Sequence, residues 1–181
     1  MLRNNIQTLE LFPIKVWRIQ SDIHTESLKD ISISLKDSLH YGKSAGGYQG
    51  GDSFQNIPEF KEVIDFISDS VKTIFEKDFT FLDMWVSVYG KGDYNNIHNH
   101  PPFNSMYYDY PLYSGVFYIE TFDNSGQLNI HSDRNVTNKH SLAPQKGELI
   151  LFNSSTYHSV EPNESDSDRV CFVFNLALNE E

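Results

Sequence analysis

Three histidines are the residues whose types and spacing best suit metal chemistry. His98 and His100 are two positions apart, so their side chains leave the same face of an extended segment. His158 lies far along the chain and can supply a third imidazole from another strand. Three such nitrogens occupy one face of a metal ion and leave its other positions open. The spacing fits a metal site, with three ordinary hydrogen-bonded histidines as the alternative.

One arginine is placed where it could hold an anionic ligand beside that site. Arg169 follows His158 and opens an alternating apolar segment. A guanidinium is a planar fork of donors that pairs bidentately with a carboxylate. The alternative is a surface arginine that offsets the acidic stretch at 161–168. We favour the carboxylate-binding role because Arg169 stands at the start of the predicted strand that follows the histidine.

Short strands should position these residues. Apolar or alternating runs bounded by turn residues predict strands at 79–89, 114–120, 127–132, 148–152, 157–161 and 169–178. The polar stretch 163–168 reads as a loop. We expect it to place His158 and Arg169 on neighbouring strands.

The N-terminal part is predicted to be mainly helical. Apolar residues at three- and four-residue spacing predict helices at 21–40, capped by Thr25 or Ser21, and at 58–75. Residues 9–19 read as an edge strand interrupted by Pro13, and the glycine-rich 41–52 as a loop. Helices followed by short strands predict a mainly β fold, a double-stranded β-helix (jelly roll, cupin-like) with two N-terminal helices packed against it. We expect a single domain over 1–181, with a helical part at 1–78 and a jelly-roll core at 79–181.

Composition narrows the range of partners. With 14 basic and 25 acidic residues the net charge is −11, which argues against the basic surface that nucleic-acid binding requires. The single cysteine, Cys171, cannot form an internal disulfide, and no apolar run approaches the length of a membrane span. We expect a soluble cytoplasmic protein that binds neither nucleic acid nor membrane; its oligomeric state is left open.

The order of several motifs resembles the 2-oxoglutarate- and iron(II)-dependent oxygenases. The resemblance is to a prolyl-hydroxylase-like family with members in bacteria and marine phages. It rests on His-Asn-His-Pro at 98–101, Ser-Gly-Val-Phe-Tyr-Ile at 114–119, and the series Gly147, Phe152, His158, Pro162, Arg169. The stretches 11–13 and 46–49 are also similar to that family.

This resemblance implies a function and a site. It implies a dioxygenase that hydroxylates a peptide residue or small molecule with release of succinate and CO₂, in the host cytoplasm if a phage encodes it. Iron(II) would be bound by His98, His158 and His100. 2-Oxoglutarate would be held by Arg169, with Tyr89 and Tyr118 against it. No catalytic residue beyond the metal centre is implied.

Two features depart from the wider superfamily. Asp or Glu usually stands where this chain has His100. Either His100 ligates the metal, or a carboxylate such as Asp93 or Asp109, or water, takes its place. In addition, 103–113 reads as an insertion whose aromatic residues would lie near the site mouth.

Two other functions remain open at this point. A cupin-like enzyme could bind metal through three histidines without using 2-oxoglutarate. A non-enzymatic jelly roll, such as a binding or virion module, would need no metal at all.

Overall fold

Two antiparallel sheets and two helices form the protein. The computed structural model describes residues 6–11, 14–36, 40–41, 47–50, 57–100 and 112–179. The helices are α1 (Glu26–Ser34) and α2 (Lys61–Phe75), the second preceded by a 3-10 turn at Pro58–Phe60. The strands are β1 (Ile6–Leu11), β2 (Ile14–Gln20), β3 (His40–Tyr41), β4 (Tyr48–Gly50), β5 (Phe79–Tyr89), β6 (Asn95–His98), β7 (Leu112–Glu120), β8 (Leu128–His131), β9 (Lys139–Leu142), β10 (Glu148–Asn153), β11 (His158–Val160) and β12 (Arg169–Leu178).

The strands form a jelly roll. The larger sheet has the order β1-β2-β10-β7-β12-β5-β4-β3, and the smaller has the order β6-β11-β8-β9. An apolar cluster joins their facing surfaces, with Ile150 and Phe152 from the larger sheet against Leu128 and Ile130 from the smaller. The predicted fold, a mainly β double-stranded β-helix with two helices packed against it, is confirmed.

The central strands are apolar on both faces because both faces are covered. All but one of the residues of β10 are buried, and β12 shows the same pattern. One face of the larger sheet meets the smaller sheet and the other meets the helices. A strand covered on both sides reads as a continuous apolar run rather than as an alternation.

Helix α2 covers the outer face of the larger sheet. Its buried residues include Val63, Ile67 and Val71, which recur every fourth position and form one apolar stripe. They belong to the same core cluster as Phe117 and Phe172 of the sheet. Burying each such side chain contributes about 1.5–3 kcal/mol, so this stripe anchors the helix to the sheet.

Several predicted boundaries need correction in the N-terminal part. The helix predicted at 21–40 is shorter, Glu26–Ser34, with Thr25 at its N-cap position. Ser21 is not its cap, because its hydroxyl donates to the carbonyl of Gly147 (2.8 Å). The edge strand predicted at 9–19 is two strands: β1, which carries residues 9–11, lies at the edge of the larger sheet, whereas β2 is internal. The predicted loop at 41–52 contains β4, which pairs with β5. The helix predicted at 58–75 is confirmed.

The predicted placement of His158 and Arg169 on neighbouring strands is wrong. His158 begins β11 in the smaller sheet, and Arg169 begins β12 in the larger. The polar segment 161–168 crosses from one sheet to the other, which no local sequence pattern reveals.

Neither helix in the described part of the chain is long and apolar enough to cross a membrane.

Candidate active site

The three predicted histidines lie together. His98 ends β6 directly opposite His158 at the start of β11. His100 lies two residues beyond β6, where its backbone N–H donates to the carbonyl of Ser154 (2.8 Å). One ring nitrogen from each histidine lies within 4.8 Å of those of the other two, and the three could hold a metal ion.

Hydrogen bonds define which ring nitrogen of His98 and His158 is free. The Nδ1 atom of His98 lies 2.7 Å from the carbonyl oxygen of Asn96, and that of His158 lies 2.9 Å from the carbonyl oxygen of Thr156. A carbonyl can only accept, so each Nδ1 carries the proton and each Nε2 keeps a lone pair. The backbone thus selects the tautomer that a metal ligand needs.

Burial keeps two of these rings neutral. It lowers the pKa of His158 well below its ordinary value, and the adjacent His98 and His100 act in the same direction. Burial likewise lowers the pKa of His98. Only a neutral imidazole binds a metal, so the donor set fits a divalent cation near neutral pH.

A cavity of about 440 Å³ extends from the histidines between the two sheets. It is large enough for a small ligand. Tyr89, Tyr118 and Arg169, the three residues predicted to bind a cosubstrate, all line it. Burial raises the pKa of Tyr118 far above its ordinary value, so its hydroxyl remains a neutral donor.

Arg169 is buried in this cavity without a carboxylate partner among the described residues. It is 1% exposed. Its Nη1 atom donates to the carbonyls of Ser125 and Gly126, and its guanidinium lies 4.4 Å from the ring centre of Tyr89. Within the described residues, Nε and Nη2 have no hydrogen-bond partner. Unsatisfied donors on a buried cation are costly, so a carboxylate ligand fits this position.

The other predicted candidates lie elsewhere. The Asp93 carboxylate accepts from the backbone N–H of Gly90 (2.8 Å) in a turn and is not part of the histidine group. Asp109 and the rest of 103–111 lie outside the described residues. Tyr113 was expected near the site mouth, but it packs instead against Phe75 (4.3 Å between ring centres) and Trp17 in the core.

Two residues, Ser87 and Asp83, escaped prediction. Ser87 lines the cavity with a buried hydroxyl that has no partner in the described structure. Strand alternation could have revealed it, since Ser87 shares a face of β5 with Tyr89. Asp83 is joined to His100 by hydrogen bonds through the side chain of Asn175. This contact depends on a cross-strand register that the sequence does not reveal.

The fold and the histidine group define a jelly roll with a candidate metal centre and an anion-binding arginine. The sequence matches a family described as "Putative 2OG-Fe(II) oxygenase" over residues 83–175, just over half of the chain. The chain therefore belongs to this family. It is accordingly a 2-oxoglutarate- and iron(II)-dependent oxygenase.

Solved structures share the fold at low sequence identity. A prolyl-4-hydroxylase from Pseudomonas putida is 15% identical with a TM-score of 0.64, covering 99% of this chain and 95% of its own. A viral collagen prolyl hydroxylase from Paramecium bursaria Chlorella virus-1 is 18% identical with a TM-score of 0.60, covering 97% of each chain. HygX from Streptomyces hygroscopicus, solved with nickel and 2-oxoglutarate bound, is 11% identical with a TM-score of 0.66, covering 90% of this chain and 82% of its own. Comparison with curated protein sequences finds no significant match.

Proposed function

We propose that His98, His100 and His158 bind the iron(II) and that Arg169 binds the far carboxylate of 2-oxoglutarate. One observation carries this assignment. A group of three histidines and a buried guanidinium with unsatisfied donors line the same cavity. A dicarboxylate has two charged ends, of which one can bind the metal and the other the guanidinium of an arginine.

The chain supplies binding, orientation and exclusion of water. Bound iron(II) and 2-oxoglutarate together supply the oxidising chemistry. Arg169 is held by backbone carbonyls on one edge and by the Tyr89 ring on its face, so its remaining edge is available to a ligand. Tyr118 and Ser87 add hydroxyl donors to the cavity wall. The apolar cluster between the sheets, which includes Tyr118 and Cys171, keeps bulk water from the part of the cavity that it lines.

The substrate we propose is a peptide residue or a small molecule that becomes hydroxylated, with release of succinate and CO₂. Two of the structural relatives are named as prolyl hydroxylases. That likeness supports a peptide substrate without identifying it. No nucleic-acid substrate is proposed, because the net charge of −11 would repel a phosphate backbone.

Arg169→Lys tests the cosubstrate role. Lysine keeps the charge but loses the bidentate fork, so the affinity of the Mn(II)-loaded protein for 2-oxoglutarate should fall by about 1.5–3 kcal/mol, roughly 10- to 100-fold. Metal affinity should stay unchanged. Isothermal titration calorimetry measures both. Arg134→Lys, at an exposed arginine, is the matched control and should alter neither quantity.

The same experiment distinguishes the proposed oxygenase from a metalloenzyme that does not use 2-oxoglutarate. A three-histidine enzyme that does not use 2-oxoglutarate predicts no cosubstrate binding in the parent protein and no change with Arg169→Lys. That result would overturn the assignment of Arg169, whatever the metal affinity.

A further inference from the structure

Hydrogen bonds link His100 to a carboxylate at the protein surface. The Nδ1 atom of His100 lies 2.8 Å from the side-chain oxygen of Asn175 and 3.1 Å from the hydroxyl of Ser114. The side-chain nitrogen of Asn175 donates to Oδ1 of Asp83 (2.7 Å), and its backbone N–H donates to the same oxygen (3.1 Å). Asn175 is therefore held between His100 and Asp83.

Sheet register brings these residues together. Asn175 on β12 lies opposite Asp83 on β5 and opposite Ser114 on β7. All three therefore share a row across the larger sheet, on the face that meets the cavity. Asn175 and Ser114 are buried, whereas Asp83 is exposed.

The hydrogen bonds that run through Asn175 have one direction. Oδ1 of Asp83 accepts from the backbone N–H of Asn175 and therefore also accepts from its side-chain nitrogen, which orients that nitrogen toward Asp83. The amide oxygen then faces His100, where it too can only accept. The proton of His100 must consequently reside on Nδ1, which leaves the lone pair of Nε2 toward the other two histidines.

We propose that Asn175, oriented by Asp83, is the positioning residue that makes His100 a metal ligand. His98 and His158 obtain the same tautomer from backbone carbonyls. His100 lies beyond the end of β6 and obtains it from side chains instead. The inference rests on the proposed metal centre and explains how a histidine serves where the superfamily usually has a carboxylate.

Asp83 acts on His100 through a hydrogen-bonded side-chain amide. Its carboxylate contacts Asn175, and Asn175 in turn contacts the His100 ring. The oriented amide acts at contact distance on His100. Partners of this kind typically change metal affinity by about 10- to 100-fold.

Three variants separate this role from general structural damage. Asn175→Ala removes the acceptor for His100, and Asp83→Ala removes the group that orients the amide. The double variant Asp83→Asn with Asn175→Asp exchanges the amide and the carboxylate. The carboxylate at position 175 then accepts from His100, and the amide at position 83 donates to that carboxylate. Asp65→Ala, at an exposed aspartate on α2, is the control for loss of a negative charge.

The measurements are the Co(II) dissociation constant and the ¹⁵N NMR spectrum of the histidine rings in the metal-free protein. Asn175→Ala and Asp83→Ala should each weaken Co(II) binding by about 10- to 100-fold, and the His100 ring should lose its single Nδ1–H form. The exchanged double variant should restore both readouts, whereas Asp65→Ala should match the parent. If Asn175→Ala does not fold, the surface variant Asp83→Ala decides the question alone.

Parent-like Co(II) affinity in Asp83→Ala, or a parent His100 ring protonated on Nε2, would overturn the inference. His158→Ala distinguishes this failure from failure of the metal centre itself. If His158→Ala abolishes Co(II) binding while Asp83→Ala has no effect, only the positioning role is wrong. If His158→Ala binds Co(II) as the parent does, the proposed metal centre is wrong as well.

Discussion

At the scale of single residues, Arg169 has the features that the proposed carboxylate site requires. Two of its three guanidinium nitrogens have no hydrogen-bond partner within the described residues, although the side chain is 1% exposed. Leaving a buried donor unsatisfied costs about 1–3 kcal/mol. In the proposed assignment, the carboxylate of the cosubstrate removes that cost when it binds.

Ser87→Ala should weaken cosubstrate binding without destabilising the protein. The Ser87 hydroxyl is buried in the cavity and unpartnered in the described structure, so its loss should be neutral or slightly stabilising. The KM for 2-oxoglutarate should rise about fivefold, because one hydrogen bond contributes roughly 1 kcal/mol to binding. Ser70→Ala removes another buried, unpartnered hydroxyl, on α2, and should leave KM unchanged. Equal KM values in both variants would contradict a role for Ser87 in binding.

Cys171 should be unreactive at neutral pH. Burial raises the pKa of its thiol to about 11 from an ordinary 9.0, although Arg169 beside it acts in the opposite direction. The thiolate fraction near pH 8 is then about a hundredfold lower than for a free cysteine. Alkylation by iodoacetamide should be correspondingly slow in the folded protein and fast after unfolding. Rapid alkylation of the folded protein at pH 8 would contradict this environment.

The same shift predicts how Cys171 affects stability with pH. The pKa of the thiol is higher in the folded protein than in the unfolded chain. The buried neutral thiol therefore contributes fully to the free energy of unfolding below pH 9, and this contribution is lost as pH rises toward 11. Chemical denaturation of the parent and of Cys171→Ser across this range measures the difference between their pH profiles.

Residue types and spacing predicted part of the site. The two-residue spacing of His98 and His100 is local, and the strand-opening position of Arg169 is visible in the sequence. The contact between Asp83 and Asn175 was not predictable, because it depends on which strands pair and in what register.

At the scale of elements, the segments before β8 and β12 form the base that holds Arg169. The buried side chain of Asn163 donates to the carbonyls of Tyr89 and Ser167, both at 2.8 Å, and so fixes the segment that leads to Arg169. Gly126 has a φ of 87°. A Cβ there would lie 2.7 Å from Nη1 of Arg169. Only glycine fits both the backbone conformation and the contact.

Gly126→Ala should therefore displace Arg169. Backbone strain alone costs about 1–3 kcal/mol, and the added methyl group conflicts with the carbonyl oxygen of Glu161 as well as with the guanidinium. Both thermal stability and affinity for 2-oxoglutarate should fall. Gly92→Ala is the matched control, since Gly92 has a φ of 86° but open space around its Cβ position. It should lose stability and keep cosubstrate affinity; an equal loss of affinity in both variants would contradict the packing argument.

Long apolar strands were predictable as elements, whereas short polar ones were not. β10 and β12 are covered on both faces and read as apolar runs in the sequence. β9 has three exposed residues of four, and β6 has two of four, so neither carries a pattern of its own. β6 nevertheless carries His98, which its pairing with β11 brings opposite His158. Tertiary pairing creates this part of the site.

At the scale of the whole molecule, the N-terminal part is built into the larger sheet. Residues before 79 contribute β1 to β4 as well as both helices, and β2 pairs with β10. The core cluster includes Ile19 and Val63 from this part together with Phe172 from β12. We propose on this basis that the chain folds as one domain.

A single unfolding transition should follow from that arrangement. The chain has two tryptophans, Trp17 in β2 and Trp85 in β5, so Trp17→Phe and Trp85→Phe each leave one fluorescent reporter. In each variant, the midpoint of urea unfolding by fluorescence should coincide with that by far-UV circular dichroism. A Trp17 midpoint at clearly lower urea than the circular dichroism midpoint would show that the N-terminal part unfolds separately.

The central claim is that one cavity binds iron(II) through the three histidines and 2-oxoglutarate beside it. Its most direct test is an anaerobic titration of the iron(II)-loaded protein with 2-oxoglutarate, following the visible charge-transfer band of the iron chelate. The band should appear with one equivalent of cosubstrate in the parent protein, be absent in His158→Ala, and require higher concentrations in Arg169→Lys. A parent protein that binds iron(II) but develops no band at saturating 2-oxoglutarate would contradict the claim.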